Sequence, residues 1–126
     1  MPHRAIRLFF ERDPSALFLA SATIPAWHIY AVLIDFDAAE TTRGQLMRTL
    51  EKQGIRTQVH YIPVPRHPYY RRRYGEAVLP GAEVYYRRTL SLPLYVGMSD
   101  ADVGRVATAL EQALGRGSEQ LRRRAS

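Results

Sequence analysis

The chain contains no cysteine. That excludes a disulfide scaffold, a cysteine nucleophile and a thiolate metal site, and it fits a reducing, cytoplasmic setting. Lysine is almost as scarce: of the 18 basic side chains, all but Lys52 are arginine. Chemistry that needs a side-chain amine, such as a Schiff base, therefore has a single candidate. Long apolar runs are missing too. The longest, about Ile29 to Ile34, falls far short of the ~20 residues of a membrane-spanning helix. The eight glycines are scattered and form no phosphate-cradling loop, and there is no G-x-S-x-G. The four histidines, His3, His28, His60 and His67, lack the paired spacings of metal ligands, and no carboxylate cluster joins them. No metal site is expected.

What is present describes one soluble globular domain: 126 residues, 46% hydrophobic and 24% charged. The net charge of +6 permits nucleic acid, membrane surfaces or phosphorylated ligands as partners and selects none of them. The N-terminus has the outline of an export signal, with Arg4 and Arg7 before an apolar patch, Ala16 to Ala20, and an Ala20-Ser21-Ala22 triplet. The patch is too short for the ~7–15 residues required, and Glu11 and Asp13 stand directly before it, so a signal is not expected.

The periodicities give an element order. Arg4 to Glu11 reads as a short helix closed by Pro14, and Ser15 to Ala26 as irregular. His28 to Phe36 reads as a strand apolar on both faces, ended by Asp35 and Asp37. Thr42 with Gln45 is a capping-box pattern opening a helix whose stripe is Leu46, Met47 and Leu50, with Gly54 as its stop. Ile55 to Tyr61 alternates as a strand, with Ile55, Thr57, Val59 and Tyr61 on one face and Arg56, Gln58 and His60 on the other. After Pro63 and Pro65, helices are expected over Tyr69 to Tyr74, behind Pro68, and from Pro80 to about Arg88. Ser91 to Tyr95 reads as an edge strand carrying Pro93. Ser99 and Asp102 cap a last helix with the stripe Val103, Val106, Ala107, Leu110 and Leu114. Gly115 to Ser126 reads as a frayed, basic tail.

This order, β-α-β-α-α-β-α, predicts an α+β fold: a two-layer sandwich of a three-stranded, mainly antiparallel sheet with helices on one face. The strand His28 to Phe36 leaves the second face apolar, so self-association as a homodimer is expected.

Arginine and tyrosine interleave in Tyr69-Tyr70-Arg71-Arg72-Arg73-Tyr74 and in Tyr85-Tyr86-Arg87-Arg88. A small basic nucleic-acid-binding or regulatory module is one reading, since arginines meet phosphates and aromatic rings stack on bases. The helical spacing of Tyr70 with Tyr74 and Glu83 with Arg87 favours the other: ordinary helices with tyrosines half-buried and arginines solvated.

The stretch Gly54 to Gly75, GIRTQVHYIPVPRHPYYRRRYG, is less generic. With Trp27-His28-Ile29-Tyr30 before it, and Ala82-Glu83-Val84-Tyr85-Tyr86, Leu90-Ser91-Leu92-Pro93-Leu94 and Met98-Ser99-Asp100 after it, it resembles the C-terminal small domain of the DegT/DnrJ/StrS-type sugar-nucleotide aminotransferases. These are pyridoxal phosphate (PLP) enzymes of the aspartate-aminotransferase fold. The resemblance covers about residues 26 to 114. It implies that residues 1–25 are the remnant of an interdomain helix and its lead-in, and that 115–126 are a flexible tail. The wording Gln58-Val59-His60-Tyr61-Ile62-Pro63 is similar to the branch that aminates a UDP-linked 4-keto-6-deoxy-N-acetyl sugar on the route to pseudaminic acid. The resemblance implies a domain that closes over a sugar nucleotide, with His60, Tyr61, Arg56 and Tyr69 as substrate-binding residues. The family's large domain, which carries the cofactor pocket and the Schiff-base lysine, has no counterpart here, and Lys52 does not sit in the family's lysine motif. The chain is expected to be a fragment without catalytic residues, binding no PLP alone, with the missing large domain or a second copy as partner and no membrane partner.

Overall fold

The computed structural model describes residues 6–8 and 28–124, with side chains described over 28–115. The export-like Ala16 to Ala22 stretch, the irregular lead-in and Trp27 lie outside these residues. Three strands run antiparallel in the order β1 (Ile6–Leu8), β2 (Tyr30–Ile34) and β3 (Thr89–Leu92). Across the β2–β3 pair, Val32 stands opposite Leu90, Ala31 opposite Ser91 and Leu33 opposite Thr89. Opposed residues share a face. Val32, Ile34 and Leu90 therefore line one side of the sheet, and Ala31, Leu33, Thr89 and Ser91 the other.

The strands differ from the expected set in three places. Ile6–Leu8, inside the expected Arg4–Glu11 helix, is the strand β1. So short a helix is marginal without tertiary support, whereas the free edge of β2 supplies a partner for each of its three residues. Ile55 to Tyr61 forms no strand. It touches the sheet through one antiparallel bridge, in which Gln58 and Ser91 exchange both backbone hydrogen bonds at 3.0 and 2.8 Å. Beyond that bridge the alternation fails: Tyr61 is 64% exposed and His60 is half-buried. β3 starts two residues before the expected Ser91–Tyr95 and ends three before it, because Pro93 has no N–H to continue a ladder.

Among the described residues, four helices follow from local signals that the sequence states plainly. α1 (Arg43–Glu51) opens on Thr42, whose hydroxyl accepts from the Gln45 N–H at 3.2 Å while the Gln45 side chain accepts from the Thr42 N–H at 3.0 Å. It stops at Gly54, where φ is +74° and the next N–H, from Ile55, returns to the Leu50 carbonyl at 3.0 Å. Only glycine takes that φ without strain. α2 (Pro68–Tyr74) and α3 (Pro80–Arg88) each begin on proline. α4 (Asp100–Arg124) is preceded by Ser99, whose N–H and hydroxyl both donate to Asp102 Oδ2 at 3.0 and 2.7 Å. α4 runs to Arg124 through the stretch expected to fray. Glutamate, glutamine, leucine and arginine there are good helix formers that outweigh Gly115 and Gly117.

The core lies on the Val32–Ile34–Leu90 side. Leu46 and Leu50 of α1, Ile55, and Val106, Ala109, Leu110 and Leu114 of α4 bury against it. The stripe of α4 is shifted from the expected one: Val103 is 53% exposed and Ala107 is exposed, while Ala109 is buried. Periodicity selects a helix face, but where the underlying core ends decides which turns of that face are covered. The other side of the sheet is not the open apolar surface that the pattern of β2 implied. Thr89 and Ser91 are buried there, and Ala31 and Leu33 are half-buried. Exposed large apolar side chains concentrate instead between Tyr61 and Val84, where Tyr61, Val64, Tyr69, Tyr70, Tyr74, Val78, Leu79 and Val84 all face solvent.

Two carboxylates hold turns. The Ala38 N–H donates to Asp35 Oδ1 at 3.1 Å and Arg88 pairs with its other oxygen. That N–H bond is the largest influence and lowers the Asp35 pKa; burial opposes it, and the charge and hydrogen bond of Arg88 add to the lowering. Asp102 is lowered chiefly by the Ser99 hydroxyl and then by the Ser99 N–H.

Truncating the core tests this arrangement. Leu50→Ala and Leu110→Ala should each cost about 2–5 kcal/mol in denaturant unfolding, and Val103→Ala less than about 0.5 kcal/mol. The lowered carboxylates give a pH test. Groups whose folded pKa is depressed add stability above the unfolded value, near 3.8 for both residues, and lose it as pH falls through their folded values. Thermal melts from about pH 5 to about pH 2 should therefore show a shallower acid loss for Asp35→Asn/Asp102→Asn than for the parent chain.

Candidate functional site

Where Ile55–Tyr61 leaves the sheet, the bridge at Gln58 fixes the backbone two residues before His60. The His60 ring then turns toward β3, and its Nδ1 lies 2.9 Å from the hydroxyl of Ser91. The next ring points the other way. Tyr61 stacks on His67 with centroids 5.5 Å apart, and from His67 the contacts run on through the short helix α2. His67 meets Tyr70 edge-on at 6.5 Å, Tyr69 meets Tyr70 edge-on at 5.2 Å, and Tyr70 stacks with Tyr74 at 6.3 Å. The 3-10 turn Val64–Arg66, between Pro63 and Pro68, carries His67 back alongside Tyr61. The result is a ledge of exposed rings beside a half-buried histidine.

Arginines flank the ledge. Arg73 donates to the Tyr69 hydroxyl at 3.2 Å and lies over the Tyr74 ring, and Arg71 pairs with Glu76. A second set holds the ledge to the body of the domain. Arg66 pairs with Glu83, and both Arg43 and Arg66 lie over the Tyr86 ring, at 4.8 and 5.4 Å. Glu83 thus pairs across the fold and not with Arg87. The tyrosines of α2 are exposed, not half-buried, while Tyr85 and Tyr86 of α3 are the partly covered pair.

Three of the four expected binding residues, His60, Tyr61 and Tyr69, lie at or on this ledge. Arg56 lies apart from them. It lines a groove of about 310 Å³ with Pro93, Tyr95, Met98 and Arg105, which none of the three lines. Two members of the site were not expected, Ser91 and His67. Ser91 read as a strand residue with nothing to mark its hydroxyl. For His67 the signal was there, in the prolines that fold the chain back on itself, but its partner was not legible.

The residues present do not fit PLP. A Schiff-base amine needs a sheltered site whose neighbours tune it. Lys52 is exposed at the C-terminal end of α1, and no described residue partners its ammonium.

A family model described as the DegT/DnrJ/EryC1/StrS aminotransferase family matches residues 11–111. The spore coat polysaccharide biosynthesis protein SpsC of Bacillus subtilis is 48% identical over 88 residues, 68% of this chain and 23% of its own length. Among solved structures, Helicobacter pylori PseC, an aminotransferase involved in the biosynthesis of pseudoaminic acid, has a TM-score of 0.65 at 27% identity, over 71% of this chain and 24% of that one. DesI, solved in the presence of its TDP-sugar product, has a TM-score of 0.60 at 29% identity, over 78% of this chain and 25% of that one. Other structures that share the fold are PLP or PMP forms. The chain spans about a quarter of the length of these relatives. It carries the sequence and the fold of one part of them, and it belongs to the DegT/DnrJ/EryC1/StrS aminotransferase family.

Proposed function

We propose that this chain is the small, substrate-closing domain of a PLP-dependent sugar-nucleotide aminotransferase. Its reaction is amino transfer to a nucleotide-linked 4-keto sugar, in the branch that resembles the pseudaminic acid pathway. The observation that carries the reading is the combination of a family match over residues 11–111 with a span of about a quarter of the relatives. The chemistry of the cofactor then belongs to the larger remainder of the fold, and this chain is inactive alone. PLP would act there as the electron sink that lets an amino group pass to a carbonyl carbon. The part of this chain is to bind and to enclose. His60 and Tyr61 meet the sugar or its phosphates, Tyr69 adds a ring at the same ledge, and Arg56 meets the diphosphate only if closure brings its groove to the ligand. The partner is that larger part, in the same polypeptide or a separate one, and the setting is the cytoplasm.

Two measurements test this. Added to the isolated chain, PLP should give no stoichiometric band near ~420 nm, because no tuned lysine site exists. A stoichiometric band that disappears in Lys52→Ala overturns the assignment of cofactor chemistry to the remainder. The second concerns the ledge. Tyr61→Ala should change stability by less than about 0.5 kcal/mol, because the exposed ring adds little to the core. Supplied with the larger part of the fold, His60→Ala should weaken UDP-sugar binding while PLP content is unchanged. Undiminished affinity in titration removes His60 from the site.

A further inference from the structure

We propose that Ser91 is a positioning residue. Its buried hydroxyl holds the His60 ring through Nδ1, so that Nε2–H faces outward as a donor to a ligand oxygen of phosphate or sugar. The proposal rests on the reading of His60 as a ligand group and adds the residue that orients it.

The argument starts from the hydroxyl. Ser91 is 5% exposed, and a buried hydroxyl proton without an acceptor costs stability. Both backbone groups of Ser91 are already spent on Gln58. The one side-chain partner of the hydroxyl among the described residues is His60 Nδ1, at 2.9 Å. Thr89, two residues earlier on the same face of β3, shows the alternative: its hydroxyl is buried with no partner among the described residues. At Ser91 the proton has a receiver. A neutral imidazole that accepts at Nδ1 carries its own proton on Nε2. The hydrogen bond therefore sets the tautomer as well as the direction of the ring.

The support is stiff. Ser91 stands opposite Ala31 on one side and is bridged to Gln58 on the other, so its strand is held along both edges. His60 is two residues from that bridge. Backbone pairing and a side-chain bond thus fix the ring from two directions, which is what a recognition group needs to meet a ligand without a large ordering cost. Nε2 has no partner among the described residues. An Nε2–H donor matches an oxygen acceptor and does not match an ammonium or a guanidinium.

The test uses the whole chain labelled with ¹⁵N, with long-range ¹H–¹⁵N spectra of the imidazoles at neutral pH. His60 should carry its proton on Nε2, and its Nδ1 resonance should show the displacement of a hydrogen-bond acceptor. In Ser91→Ala that displacement should vanish with the fold intact, and Ser91→Thr, which keeps the hydroxyl, should retain it. If Ser91→Ala does not fold, Ser91→Cys replaces it, since a thiol is a weak donor. A proton on Nδ1, or an Nδ1 resonance unmoved by loss of the hydroxyl, overturns the role of Ser91. Titration with UDP-N-acetylglucosamine, with the larger part of the fold supplied, gives the second arm. The Nε2 resonance should move, and Ser91→Ala should weaken binding about tenfold, the size of one lost hydrogen bond. No Nε2 response with the Nδ1 bond intact overturns the ligand reading and leaves the hold of Ser91 on the ring. An Nε2 response with Nδ1 indifferent to Ser91→Ala does the reverse.

Discussion

Burial of one face of a small antiparallel sheet beneath two helices is the constraint on which the molecule depends. Val32, Ile34 and Leu90 leave water against Leu46 and Leu50 of α1, Ile55 and the Val106–Leu114 stripe of α4. Once α1 and α4 are seated there, the rest of the chain runs around that core. The segment after Gly54 must travel along the outer edge of β3, and it is there that His60 meets Ser91. The site is thus a consequence of core packing transmitted through one strand.

The arginine-rich composition has a structural use apart from any ligand. Arg43 donates to the carbonyls of Tyr86 and Thr89 while its guanidinium covers the Tyr86 ring. Arg66 covers the same ring and pairs with Glu83, and Arg88 pairs with Asp35. A planar guanidinium can stack and donate several hydrogen bonds at once, which an ammonium cannot do. Three arginines from different elements thereby fasten α3 to its surroundings, although α3 contributes no fully buried side chain.

Signals that act over a few residues were legible in the sequence. The Thr42–Gln45 box, the Gly54 stop, the prolines at the start of α2 and α3, and the Ser99–Asp102 cap all form where the spacing placed them. What needed a distant partner was not. Ile6–Leu8 is a strand because β2 offers an edge, and Ile55–Tyr61 is not one because a single bridge and a side-chain bond take its place. The candidate site divides in the same way. His60, Tyr61 and Tyr69 stood out through a resemblance, whereas Ser91 and His67 enter only through contacts 31 and 6 residues away in sequence. Arg56 shared an alternation pattern with His60, and that pattern does not hold in a segment tied to the sheet by a single bridge.

The passage from α3 into β3 contains no loop: the helix ends at Arg88 and the strand begins at Thr89. Because side chains alternate along a strand, one added residue at that junction would turn Thr89 and Ser91 toward the core and Leu90 away from it, unless the whole helix rotated to compensate. Arg66, Arg43 and Asp35 oppose such a rotation through their grip on Glu83, the Tyr86 ring and Arg88. This part of the chain has a fixed length. It can accept changes of side chain at its exposed positions, but an insertion or deletion between Arg88 and Thr89 would invert the register of the strand.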